Sequence, residues 1–292
     1  MLAGATLGVM SGVFMGLLGI ISKLGAAYHI NAFQVVFAQM SLVTIVMGGY
    51  ILLRHGLAGF RLQRPGLYLI RTSAGTTYFC AFYLALKGMP ITDVLVLEST
   101  SPFFALIIMT VMERKRLSPA TLGVLTVAFV GVCLILLHHS EKALFNPYAL
   151  LALLTGLARG IGALSTRALT QVEPIERILF YYPLGTLTFA SLTFFWTWPT
   201  GSLDQGWPYL LLIGVLFIPL GLSWSMANKF IPSYLAGALF YSSIIVAAIA
   251  DNTIWDVNFT PKVITGIVLV IAAGAGLTAL EALNNRKNHQ AG

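Results

Sequence analysis

Charge is what this chain has least of. Charged residues make up 9% of its 292 positions, against about 25% in an ordinary soluble domain. With 58% hydrophobic residues and a mean hydropathy of +0.86, no water-facing surface can be built, so the composition points to an integral membrane protein. Cysteine is nearly absent: Cys80 and Cys133 both fall inside apolar segments, which excludes a disulfide framework or a thiolate metal site. The five histidines (His29, His55, His138, His139, His289) lie in loops or at segment ends, and no apolar segment pairs a histidine with a carboxylate. An intramembrane hydrolase needs a nucleophile with its base, or metal ligands, at helical spacing, so the chain reads as a non-enzyme without metal or cofactor. The net charge of +7 comes from residues scattered through short loops rather than one contiguous face, which argues against a nucleic-acid partner. No low-complexity linker interrupts the chain. The N-terminus also lacks a basic leader and a small-residue cleavage site, so the first apolar segment is expected to be retained as a span.

Long apolar runs are what remains. A helix needs about 20 apolar residues to cross about 30 Å of hydrocarbon. The runs predict an all-α integral membrane fold of ten transmembrane helices, at 2–22, 32–53, 66–86, 92–112, 119–138, 147–167, 178–198, 207–227, 233–250 and 262–281. Turn chemistry separates them at Arg64-Pro65-Gly66, Gly88-Met89-Pro90, Ser118-Pro119, Asn146-Pro147, Thr200-Gly201 and Ile231-Pro232. With the N-terminus in the cytoplasm, twelve cations fall on the inner side and four (Lys23, Lys87, Lys142, Lys262) on the outer. That positive-inside bias predicts cytoplasmic N- and C-termini. Trp196, Trp198, Trp207 and Trp255 fall near the outer boundaries, as interfacial anchors should. A multi-pass protein of the bacterial inner (cytoplasmic) membrane is expected, surrounded by lipid, as a monomer or homodimer.

The second half repeats the first. Pro90 matches Pro232 and Pro119 matches Pro261 at one offset of 142, and prolines number only 12. In the same register Lys87 meets Lys229, Leu97 meets Leu239 and Ser101 meets Ser243. Five spans per copy is an odd number, so residues 1–140 and 147–285 would form two inverted five-helix repeats. Secondary transporters are built this way, with the substrate site near mid-bilayer between the halves. The first span carries Gly4, Gly8, Gly12 and Gly16, and Gly156 and Gly160 of the sixth match Gly12 and Gly16 at an offset of 144. These bare faces suit close helix packing or sliding during transport.

The stretches Arg71-Thr72-Ser73-Ala74-Gly75, Tyr83-Leu84-Ala85-Leu86-Lys87-Gly88-Met89-Pro90, Ser99-Thr100-Ser101-Pro102 and Met112-Glu113-Arg114-Lys115-Arg116 resemble the EamA branch of the drug/metabolite transporter superfamily. The ten-span, two-repeat layout resembles it over about the whole chain. The second half departs from the pattern: Ile244 stands opposite Pro102, and Trp255-Asp256 stand where the acidic-basic cluster would be. The resemblance implies a single-chain secondary carrier, commonly an exporter of amino acids or other small metabolites. Its cavity would be lined by the first, third, fourth, sixth, eighth and ninth helices.

Two ionisable residues, Glu98 and Arg159, lie well inside predicted spans. A charge at a helix centre costs about 2.5–3.5 kcal/mol on insertion scales, so such groups face a cavity or a partner. Three readings stand side by side. The two pair and hold the fold; or Arg159 takes a carboxylate and Glu98 an ammonium of a zwitterion; or Glu98 binds a cation or exchangeable proton and Arg159 gates. In the repeat register Glu98 corresponds to Phe240 and Arg159 to Met15, so a pseudo-twofold axis would gather all four. Tyr78 and Phe82 share a face of the third span with Arg71, Phe82 corresponds to Trp224, and Tyr241 follows Phe240. These aromatics are candidate walls for an apolar group or a quaternary ammonium, or simply membrane filler. The candidate substrate site is therefore Glu98, Arg159, Tyr78, Phe82, Trp224, Phe240 and Tyr241. Pro102 frees a backbone carbonyl one turn earlier, at Glu98, and Ser99, Thr100 and Ser101 offer replacement bonds. Glu98, Pro102 and Arg71 are the candidate gating or coupling residues, with protons as the candidate coupling ion. The expected activity is secondary transport of a small organic metabolite by alternating access, with amino-acid export leading and uptake of an organic cation such as a quaternary amine as the alternative.

Overall fold

The structure, a computed structural model, describes residues 2–113, 118–139, 147–197, 203–231 and 233–290. The turn signals at Asn146, Thr200-Gly201 and Pro232, the cations Arg114, Lys115, Arg116 and Lys142, and Trp198 lie outside them. Twelve α-helices account for nearly all of the described chain, and no strand occurs among the described residues. They are α1 (Leu2–Ala26), α2 (Ala32–His55), α3 (Pro65–Ala85), α4 (Ile91–Glu98), α5 (Ser101–Glu113), α6 (Pro119–His139), α7 (Pro147–Thr170), α8 (Ile175–Thr197), α9 (Leu203–Phe230), α10 (Ser233–Leu239), α11 (Ser242–Trp255) and α12 (Pro261–Gln290). Among the described residues, five segments are long and apolar enough to cross a membrane: Ala3–Ala26, Ala32–His55, Ile91–Met112, Pro147–Thr170 and Gln205–Phe230. The protein is all-helical and built for a bilayer.

Local chemistry sets the ends. Asn31 caps α2 by accepting from the Gln34 backbone N–H at 2.9 Å, while the Gln34 side chain accepts from the Asn31 N–H at 2.8 Å. That reciprocal pair is a capping box. Gly56, at φ 60°, ends α2, and Pro65 opens α3 at a position where a missing N–H costs nothing.

Two segments read as continuous spans are each broken in the middle. The apolar run 92–112 is α4 and α5, separated at Ser99-Thr100; the run 233–250 is α10 and α11, separated at Phe240-Tyr241. Pro102 lies in the first turn of α5, just after the break rather than within a continuous kinked helix. There its missing N–H is one that helix geometry leaves unbonded in any case. The second break has Ile244 in the equivalent place, so no proline is needed to interrupt the helix. Hydroxyls satisfy the backbone instead: Ser99 donates to the Leu95 carbonyl at 2.6 Å, Thr100 to that of Leu97 at 2.6 Å, and Ser242 to those of Val9 at 2.9 Å and Leu239 at 3.1 Å.

Glycines seat both breaks. α1 lies along α9 and against α10 and α11, and α7 lies along α3 and against α4 and α5. A Cβ at Gly12 would stand 2.7 Å from the Phe240 carbonyl oxygen, and one at Gly16 would stand 3.1 Å from that of Ser243. On α7, a Cβ at Gly156 would stand 3.1 Å from the Leu97 oxygen and one at Gly160 would stand 2.9 Å from the Ser101 oxygen. The bare faces therefore let an intact helix approach the backbone of a broken one. Around this centre α2 packs on α8 and α9, α3 on α8, and α6 on α12, while α4 meets α11 and α5 meets α10.

The two ends of the bundle are tied differently. At one, Lys23 of α1 lies 3.2 Å from Asp251 of α11, whose other oxygen accepts from the Thr92 N–H at 2.7 Å and hydroxyl at 2.8 Å. Asp251 is fully buried, and the expected span end at 250 stopped one residue short of it. The Lys23 ammonium also sits 4.6 Å from the Trp255 ring centre, while Trp207 is exposed. At the other end Glu173 accepts from the Gln63 N–H at 2.7 Å and from Arg177 at 2.6 Å, and Arg177 also donates to the Gly59 carbonyl at 2.8 Å. Those bonds fasten the α2–α3 connection to the α7–α8 turn.

Candidate functional site

Arg159 and Glu98 meet at the centre. Glu98 is the last residue of α4, and Arg159 projects from the glycine face of α7 that receives the α4–α5 break. Arg159 forms an ion pair through Nη1 with Glu98 Oε1, and the Tyr78 hydroxyl donates to the same oxygen at 3.0 Å. All three side chains are more than nine-tenths buried. A pair removed from water is held only if further contacts satisfy it, and here aromatic faces surround the guanidinium. Its central carbon lies 3.2 Å from the Phe240 ring centre, 4.3 Å from that of Trp224 and 5.9 Å from that of Tyr78. Such contacts favour a cation in a dry setting. The Tyr78 hydroxyl also lies 3.6 Å from the Met15 sulfur. The four register positions Glu98, Phe240, Arg159 and Met15 thus converge on one place, through the ion pair, the ring contact and Tyr78.

Beside this cluster is a small cavity of about 60 Å³. Arg71, Tyr78, Arg159, Tyr182, Trp224 and Phe240 are among its walls, with Met15, Phe217 and Leu220 supplying apolar surface. Glu98 is reached only behind Arg159. Phe82 stacks on Tyr78 at 6.0 Å between ring centres and forms no part of the wall. Tyr241 also stands back from it, donating to the Ser99 carbonyl at 3.1 Å. Pro102 packs toward Gly237 across the α5–α10 contact. Arg71 is on the wall, its guanidinium carbon 3.9 Å from the Tyr182 ring centre.

Tyr182, Phe217 and Leu220 were not among the expected site residues; buried aromatics and leucines in so apolar a chain give no sequence signal of a cavity. The ion pair of Asp251 did have one, a carboxylate directly after the apolar run Ala247-Ala248-Ile249-Ala250 of α11, at the edge of the predicted span. Among the described residues no group of three or more histidine, cysteine or carboxylate side chains could hold a metal ion. The wall of the cavity thus brings two guanidiniums together with aromatic rings, with the Glu98 carboxylate behind Arg159.

Comparison with known proteins agrees with that chemistry. Residues 2–137 match the family model described as the EamA-like transporter family. That match spans a little under half of the chain, so its first half is similar to the EamA-like transporter family. It is 25% identical over 217 residues to the pseudopaline exporter of Pseudomonas aeruginosa, an alignment covering 73% of this chain and 74% of the relative. A riboflavin transporter of Brucella anthropi is 26% identical over 139 residues, 48% of each chain, and one of Rhizobium johnstonii is 31% identical over 125 residues, 43% of this chain and 41% of the other. A solved crystal structure superposes with a TM-score of 0.67 at 16% identity, covering 94% of this chain and 96% of the other, so it shares the fold. The chain is a multi-pass membrane protein similar to small-molecule transporters.

Proposed function

We propose that this chain is a secondary active transporter that carries a small organic metabolite, such as an amino acid, out of the cell across the bacterial inner membrane by alternating access. The observation that carries the reading is the cavity beside the α4–α5 and α10–α11 breaks, walled by Arg159, Tyr78, Trp224 and Phe240. Ten crossings, in two inverted halves 1–140 and 147–285 with cytoplasmic termini, are supported by the packing. Exchanging α1–α6 for α7–α12 in order turns α1 on α9 into α7 on α3, α2 on α9 into α8 on α3, and α4 on α11 into α10 on α5, all observed contacts. Substrate sites at broken helices between inverted halves are the common transporter arrangement.

Alternating access is supported by where the cavity lies. Its α3 residues run from Arg71 to Phe79, the middle of that helix, and its α9 residues from Phe217 to Trp224, in the second half of α9. Beyond Phe79 the side chains of Phe82, Ala85, Ile91, Leu95 and Leu97 are buried in continuous packing, ending at the Lys23–Asp251 pair. With both termini in the cytoplasm, the second half of α9 would face inward, which supports a cavity reached from the cytoplasmic side with the packed plug outside. Glu98 Oε2 is buried without a hydrogen-bond partner, which makes it the candidate seat of a coupled proton. The relatives' names, an exporter of pseudopaline and transporters of riboflavin, support organic cargo of modest size.

Counterflow in proteoliposomes tests the reading, across a panel of amino acids, organic acids, polyamines and quaternary amines. Wild type is expected to exchange at least one class, with Glu98→Gln and Arg159→Ala defective. Normal exchange by both variants would refute the site.

A further inference from the structure

The ion pair leaves one cation over. Arg159 is neutralised by Glu98, but none of the ion pairs among the described residues includes Arg71. Arg71 is 8% exposed, its Nε is buried without an acceptor, and its guanidinium reaches the cavity wall. A buried charge with no counter-ion, only the neutral Tyr182 beside it, is costly and marks a functional position by default in a membrane. The surroundings hold it ready. Tyr182 covers one face, and Gly75 and Gly162 stand where any Cβ would lie 3.0 Å and 3.4 Å from Arg71 Nη1. The two glycines give a planar fork room between α3 and α7.

We infer that Arg71 is the docking point for a carboxylate of the cargo, so that the transported molecule is an organic acid or zwitterion carrying its carboxylate toward Arg71 and an apolar or aromatic body toward Phe217, Trp224 and Phe240. The inference rests on the transporter reading above and specifies its substrate class. Arg71 lies seven residues before Tyr78 on α3, roughly 10 Å along the helix axis at 1.5 Å per residue. The carboxylate therefore docks about two turns from the Glu98–Arg159 pair, rather than on Arg159. A guanidinium suits this task because its parallel N–H groups bind a carboxylate bidentately. A quaternary amine meets the opposite environment, two guanidiniums and one carboxylate whose Oε1 is already held by Arg159 and Tyr78.

The test uses three matched probes, 3-phenylpropionate, L-phenylalanine and phenethylamine, on the full-length protein in detergent. A ligand that binds only the folded state raises the melting temperature. In wild type the two carboxylates are expected to raise it and phenethylamine is not. Arg71→Gln should weaken carboxylate binding at least tenfold. Arg71→Lys should recover part of it, since it keeps the charge and loses the fork. Stabilisation by phenethylamine alone, by none of the three, or equally in wild type and Arg71→Gln overturns the inference. The wild-type comparison needs no variant, so a misfolded Arg71→Gln does not obscure it. Counterflow separates the two levels. Exchange of amines but not acids keeps the transporter and removes the acid; Arg71-dependent binding without exchange keeps the docking site and removes transport.

Discussion

Tyr241 donates its hydroxyl hydrogen bond to the Ser99 carbonyl oxygen at 3.1 Å, across a separation of 142 residues. That separation is also the offset at which Pro90 matches Pro232. In the proposed inverted repeat the bond would join equivalent positions, one at each helix break, and so lie on the axis relating the halves. Tyr241→Phe removes a buried bond worth about 1 kcal/mol. The expected result is a melting temperature lowered by a few degrees with ligand affinity unchanged, because Tyr241 stands behind the cavity wall. Thermal unfolding with and without ligand checks both parts.

The central ion pair should behave as a coupled unit. Removing one partner of a buried pair typically costs about 3–5 kcal/mol because the other is left uncompensated. Arg159→Met and Glu98→Leu are each expected to be strongly destabilised. The double variant is expected to regain much of the loss while failing to transport. A double-mutant cycle on unfolding temperature, run beside counterflow, reads the coupling; additive losses would show that the two side chains act separately.

The Lys23–Asp251 pair closes the end of the bundle away from the cavity. Lys23→Met leaves Asp251 with Thr92 alone, so that end should open more often. The measurement is the labelling rate of a Cys introduced at buried Ser22, in a background lacking Cys80 and Cys133, by an impermeant maleimide added outside intact cells. A several-fold faster rate in Lys23→Met is expected.

Glycines at the breaks should tolerate less than the one at the cavity. A Cβ at Gly160 would stand 2.9 Å from the Ser101 backbone oxygen, whereas one at Gly162 would find Arg71 Nη1 at an ordinary 3.4 Å. Gly160→Ala is expected to cost about 1–3 kcal/mol by overpacking and Gly162→Ala much less. Comparing their melting temperatures with wild type decides it.

The helices were legible because apolar runs and turn residues report local needs: the run 32–53 became Ala32–His55, and 147–167 became Pro147–Thr170. The convergence of Glu98 and Arg159 was legible because a charge within an apolar run demands a partner, and the register named Phe240 and Met15 as neighbours. The first break was legible in part, since Pro102 and the hydroxyls of Ser99 and Thr100 marked its place. The second, with Ile244 where a proline would stand and a glycine face on a distant helix receiving it, was not. Asp251 was missed for a similar reason. Its helix continues to Trp255 because Lys23 and Thr92, from two other helices, satisfy the carboxylate. Arg71 was visible as a cation, but its lack of a counter-ion is a fact of packing that no local pattern carries.

Cysteine accessibility at Ala158 tests alternating access most directly. This residue lines the cavity on α7, and a single Cys there, without Cys80 and Cys133, can be probed by impermeant maleimide from either face of oriented vesicles. The account predicts labelling from both faces, with a transported ligand slowing both. Labelling from one face only, under every condition, would contradict it.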